Sequence, residues 1–141
     1  VRYGGGHQLP CEVQLLQEWL QGVSVQRVRS DTSYVLLGHC MEMRTGGSLA
    51  KLWVDIFSKF GLSLRCADVG CCGMAGMFGH ESRHQDLSQD IYLQSWGATL
   101  NGLSAQEEPL STGFSCRSQV LRFSSLKLIH PIQVLRKILL K

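Results

Sequence analysis

No apolar run in these 141 residues is long enough to cross a bilayer; the longest lie around Val35-Leu36-Leu37 and Ile138-Leu139-Leu140. No signal-peptide pattern opens the chain, so the sequence reads as cytoplasmic and soluble, with at most a peripheral place at the inner face of a membrane. Excess charge of one sign is also missing. The formal net charge is +3 and the Lys and Arg residues are scattered, which excludes the basic stripe of a nucleic-acid binder. Cysteine is present at positions 11, 40, 66, 71, 72 and 116, but without the dense, even spacing of a secreted disulfide scaffold. Neither a dinucleotide-binding G-x-G-x-x-G nor a ferredoxin-type C-x-x-C-x-x-C run occurs.

What is there suits one domain with a real core: 44% of the residues are hydrophobic and 18% charged. The opening Val1-Arg2-Tyr3-Gly4-Gly5-Gly6 reads as a linker or remnant. The expected organisation is therefore a linker over 1–10 and a cysteine-rich domain over 11–141, a piece of a larger protein.

Val13, Leu16, Trp19, Leu20 and Val23 recur at helical spacing, with Gly22 as a stop. Ser30-Asp31-Thr32-Ser33 is turn chemistry, and Tyr34 to Leu37 suits a buried strand. After 45–48, Leu49, Leu52, Trp53, Ile56, Phe57 and Phe60 mark a helix ending at Gly61. A second strand is expected within 62–69, a helix from about His80 to Trp96, a third strand over 109–114, and a last helix from His130 onward with Pro131 in its first turn. Strands alternating with helices predict an α/β fold: a small, mainly parallel sheet with helices on both faces.

In such sheets ligands bind beyond the carboxyl ends of the strands. Cys40, the pair Cys71-Cys72, and Cys116 each follow an expected strand, so four thiols should converge on one edge, where they could surround zinc or an iron-sulfur cluster. Gly70 and Gly73 flank the pair and let the backbone bend enough for adjacent side chains to serve one centre. The helix after the pair is expected to aim its N-terminus at this edge and favour thiolates there. His39 and His80 are candidates for an added nitrogen ligand. Cys11 and Cys66, within apolar segments, read as inert core thiols.

Cys40, Cys71-Cys72-Gly73 and Cys116 resemble the CCG cysteine-rich domain found in heterodisulfide reductase and in the iron-sulfur subunits of glycolate, lactate and glycerol-phosphate oxidising enzymes. The string Gly70 to Glu81, together with Thr112 to Gln119 and His130-Pro131, resembles the C-terminus of large FAD-linked oxidases of the D-2-hydroxyglutarate or D-lactate dehydrogenase type. That resemblance implies a cluster-binding, electron-transferring domain. It would serve a flavin module that oxidises a 2-hydroxy acid, with ferredoxin-like domains in the same chain and an electron acceptor downstream; FAD would sit in the parent enzyme and not here. The chain departs from the CCG pattern at its end, where Cys116-Arg117-Ser118-Gln119 lacks the second cysteine of Cys-x-x-Cys. Four thiols remain for a tetrahedral metal or a conventional cluster. A structural or regulatory zinc-thiolate domain uses the same residues, and thiol-disulfide chemistry at Cys71-Cys72 is a third reading, disfavoured by ring strain between neighbours.

His80-Glu81-Ser82-Arg83-His84 fits H-E-x-x-H, which on a buried helix would hold zinc with the Glu as general base. Arg83, Gln85 and Asp86 make that helix too polar, so the peptidase reading is remote and Glu81 and His84 are read as a solvated helix start. His130 is expected to start the last helix, and Arg117 to supply a charge near the thiols.

Overall fold

The computed structural model describes residues 12–44 and 48–140. The linker read over 1–10, Cys11 and the helix-starting turn at 45–47 lie outside the described residues. In chain order the elements are α1 (Leu16–Gly22), β1 (Ser33–Leu37), α2 (Cys40–Arg44), α3 (Ser48–Lys59), β2 (Ser63–Cys66), two 3-10 turns (Phe78–His80 and Ser82–His84), α4 (Gln85–Tyr92), a π-turn (Leu93–Gly97), α5 (Ala98–Asn101), β3 (Glu107–Ser111), α6 (Phe114–Ser124) and α7 (Pro131–Leu139).

The three strands form a parallel sheet in the order β2-β1-β3, with Ser33 opposite both Ser63 and Glu107. Alternation along β1 sends its side chains to both faces, and both are dry. Tyr34 and Leu36 join a core built from Trp53, Ile56 and Phe57 of α3, Phe60 just past its end, Leu20 of α1, and Val134 and Leu135 of α7. Val35 and Leu37 join a second core with Tyr92, Trp96, Cys116 and Val120. The expected parallel α/β sheet with helices on both faces is the fold observed. Pro109, which has no N–H to give, is tolerated because β3 is an edge strand, bridged on its far side only by Leu110 to Ile129.

The sheet order places the chemistry. The chain leaves β1 through α3 to reach β2 on one side, then returns through α4 and α5 on the other face to β3 on the opposite side of β1. The crevice beyond the carboxyl ends of β1 and β3 is therefore the point where the winding reverses, the usual ligand site of an open parallel sheet.

Several elements differ from expectation. The helix after the cysteine pair starts at Gln85, not His80, because Glu81 is extended (φ −73°, ψ 128°) between the two 3-10 turns. It also runs past Gly97, carried through the π-turn into α5. Phe114 is not in a strand; β3 stops at Ser111 and α6 begins. α1 covers less of its apolar pattern than expected: Val13, Leu16 and Trp19 are exposed and Leu20 alone is buried. His130 caps α7, its Nδ1 accepting from Ile132 N at 3.1 Å, with Pro131 at the first helical position.

Candidate functional site

The three loops at the carboxyl edge are fixed to one another by polar contacts. Beyond β1, Gly38 leads into His39 and Cys40, and α2 begins at Cys40. Thr112, just past β3, accepts the His39 N–H at 3.2 Å and donates its hydroxyl proton to the Glu42 carboxylate. The β1 loop is thereby locked onto the β3 loop. Arg117 donates to the carbonyls of Ser111 and Thr112 at 2.8 and 2.9 Å, holding a cation at the end of β3. With burial as the main cause and Arg117 next, the His130 pKa is pushed down.

The Cys71-Cys72 loop is tied down from the opposite side. Ser95 Oγ accepts from Gly70 N at 2.8 Å and the Trp96 indole donates to Gly70 O at 3.1 Å. Ser95 and Trp96, consecutive residues of the π-turn, thus hold both backbone polar groups of Gly70. Beyond the pair, Gly73 (φ +87°) and Gly76 (φ +69°) occupy the left-handed region and turn the chain back.

The thiols meet at this edge. Cys72 and Cys116 are 5% and 2% exposed, and Cys116 donates its proton to Cys72. That hydrogen bond, aided by the Met74 and Cys72 backbone and by Cys71, outweighs burial and brings the Cys72 thiol from 9.0 down to about 7. Cys116 is correspondingly pushed up by the bond to Cys72, by burial, and by the charges of Cys72 and Cys40. Cys71 Sγ accepts from Gly73 N at 3.3 Å. Cys72 is paired with Cys116, Cys71 lies beside Cys72, and Cys40 is near enough to Cys116 for its charge to raise the Cys116 pKa. They stand as a chain of pairwise contacts: among the described residues, no three His, Cys, Asp or Glu are gathered in a metal-holding group. The donor set itself, soft thiols with one already acidic, fits a thiophilic metal or cluster. The expected dipole comes from α6, not from the helix after the pair, since Cys116 lies in the first turn of α6.

His39 is close to Cys116: a Cβ built on Gly113 would lie 2.8 Å from His39 Cδ2 and 2.7 Å from Cys116 Sγ. His39 Nδ1 accepts from Met41 N at 3.3 Å. A neutral ring so bonded carries its proton on Nε2 and offers the site a donor, not a lone pair. His80 is exposed at the end of the first 3-10 turn, and no contact among the described residues joins it to the thiols. His84 stacks on Phe78 at 4.2 Å and lies 3.3 Å from Glu81. With Glu81 extended, the two histidines are not one helical turn apart, so the H-E-x-x-H geometry is absent. Cys66 donates to Ala50 O at 3.7 Å and burial raises its pKa, as befits an inert core thiol. Cys40, Cys66, Cys71, Cys72 and Cys116 are all free thiols.

Sequence reasoning missed Thr112 and Glu42, which tie the loops of this edge together, and the buried polar pair Ser88 and Gln119, where Gln119 Nε2 donates to Ser88 Oγ at 2.7 Å and Ser88 Oγ donates to Gly73 O at 2.8 Å. Gln119 alone carried a signal, being three positions after Cys116 and hence on the same face of α6.

Fold and site together define a small parallel α/β domain with cysteines beyond the carboxyl ends of its three strands. The chain is similar to part of three proteins named D-2-hydroxyglutarate dehydrogenase. It is 40% identical to that of Pseudomonas putida over 124 residues (87% of this chain, 12% of the relative). It is 41% identical to that of Haemophilus influenzae over 127 residues (88% and 12%) and 39% identical to that of Escherichia coli over 130 residues (90% and 13%). The chain therefore spans about an eighth of the length of the relatives it matches. No protein-family model matches the chain, and no solved structure does.

Proposed function

We propose that this chain is the cysteine-rich, CCG-type domain of an FAD-linked D-2-hydroxy-acid dehydrogenase, and that its thiol edge binds an iron-sulfur cluster that relays electrons from the flavin module. The reading is supported by the placement of Cys40, the Cys71-Cys72 pair and Cys116 after the carboxyl ends of the three strands, with the contact to Cys116 lowering the Cys72 pKa. These four would hold the cluster, which when bound supplies one-electron transfer. The chain's own residues prepare the site. His39 offers an Nε2–H donor, and Met74, Trp96 and Val120 exclude water from the inner side. Met41 in α2, Met77 after the cysteine pair and Phe114 at the start of α6 stand exposed near the thiols in sequence, apolar surface suited to contact with the flavin and ferredoxin-like domains of a parent chain. Substrate oxidation belongs to that parent.

Iron and acid-labile sulfide analysis tests this on the chain prepared anaerobically, beside a Cys71→Ser, Cys72→Ser variant. Iron with sulfide, lost in the variant, is the expected result. Zinc alone would instead make this a structural zinc-thiolate domain, and no metal at all would sink the metal-binding reading.

A further inference from the structure

We propose that Gln119 and Ser88 form a buried hydrogen-bond relay that positions the Cys71-Cys72 turn, which makes both of them positioning residues for the thiol site. The inference rests on the thiolate reading above and concerns residues on which that reading does not depend. Both side chains are wholly buried. Gln119 Nε2 donates to Ser88 Oγ at 2.7 Å, and Ser88 Oγ donates to Gly73 O at 2.8 Å. Because the Ser88 hydroxyl has one proton and gives it to Gly73, it can only accept from Gln119, so the amide orientation is fixed. The relay therefore runs from α6, through α4, to the carbonyl of Gly73, the residue after Cys72.

The fit there is tight. A Cβ on Gly73 would collide with Ser88 O and come within 3.0 Å of Gln119 Nε2. Gln119 Oε1 is buried without a partner among the described residues. An apolar side chain would fill the same space without that unmet acceptor, so the amide is retained in the core for what its other end does. Cys116 and Gln119, one turn apart on one face of α6, thus hold the pair from two directions: Cys116 through its thiol to Cys72, Gln119 through Ser88 to Gly73. A glutamine at the place of a second cysteine serves the site by fixing a neighbour's ligands.

Gln119→Met, which keeps volume and removes the donor, Ser88→Ala, and the double variant test the relay against wild type. Co(II) titration of the reduced chain, followed by sulfur-to-cobalt charge-transfer absorbance, is combined with amide hydrogen exchange. Each single change should weaken Co(II) binding about 10- to 100-fold, and the double change should weaken it no further than the worse single, as for two links of one relay. Exchange should accelerate across 70–80 while β1 and α3 keep their protection. Wild-type affinity with an unaltered loop would overturn the proposal, and so would additive losses with exchange rising equally in β1 and α3. If wild type itself fails to bind Co(II), the thiolate reading falls and loop exchange in the variants alone decides the relay.

Discussion

Burial ordinarily makes a thiol a poorer acid, since the thiolate loses its hydration. Cys72 goes the other way because its hydrogen bond with Cys116 favours the Cys72 thiolate and disfavours ionisation of Cys116. In the metal-free chain, alkylation of Cys72 followed by mass spectrometry should show a midpoint near about 7, and Cys116→Ala should move it up toward the ordinary value of 9.0. The stability consequence has two signs. The lowered Cys72 value stabilises the fold fully above its unfolded value and loses that contribution, at most roughly 2 to 3 kcal/mol, as pH falls through about 7. The raised Cys116 value works oppositely: its contribution is present below its unfolded value and is lost as pH climbs above it. Urea unfolding of the reduced, metal-free chain should therefore show stability rising from about pH 7 to a maximum near 9 and falling beyond; a monotonic profile would contradict that hydrogen bond. Thr112 makes a simpler prediction. Thr112→Val strips the link between the β1 loop and Glu42 and should cost about 1 to 2 kcal/mol in the same assay.

Turn and helix geometry decide which glycines matter around the cysteine pair. Gly73 combines a left-handed backbone with Ser88 O pressed against the place of any added Cβ, whereas Gly76 shares the backbone strain and has open space. Gly73→Ala should thus destabilise by more than about 2 kcal/mol and Gly76→Ala by about 1 kcal/mol in thermal unfolding. Equal losses would mean that the contact with α4 is unimportant. At this scale the sequence was legible where one physical signal acted alone. The stripe that begins at Leu49 is α3, ending one residue before Phe60, and Tyr34 to Leu37 lie in the central strand, each dictated by burial of an apolar pattern. α6 was hidden because half of its inward face is not conventionally apolar: Cys116, Gln119, Val120 and Phe123 point in, and two of these were read as chemistry or as a gap. The helix start near His80 failed for a different reason. Gly79 is pressed against Met74 and Ser88, and the extended Glu81 interrupts winding that the residue types alone would permit.

For the molecule as a whole, the parallel α/β sheet was legible in the sequence, and it puts Cys40, the Cys71-Cys72 pair and Cys116 after the carboxyl ends of its strands. The supports were not, since Thr112, Ser88 and Gln119 become site residues only through contacts spanning up to dozens of positions. Relatives of about eight times this length carry the dehydrogenase name, so the domain's role is to be read in that setting. Among the described residues no helix is long and apolar enough to span a membrane. The most direct measurement is anaerobic reduction of the full-length parent enzyme by D-2-hydroxyglutarate, monitored by flavin absorbance and electron paramagnetic resonance, with Cys72→Ser beside wild type. Flavin reduction is expected in both proteins and a cluster signal assignable to this domain in wild type alone; an identical spectrum in the variant would contradict a cluster held by these thiols.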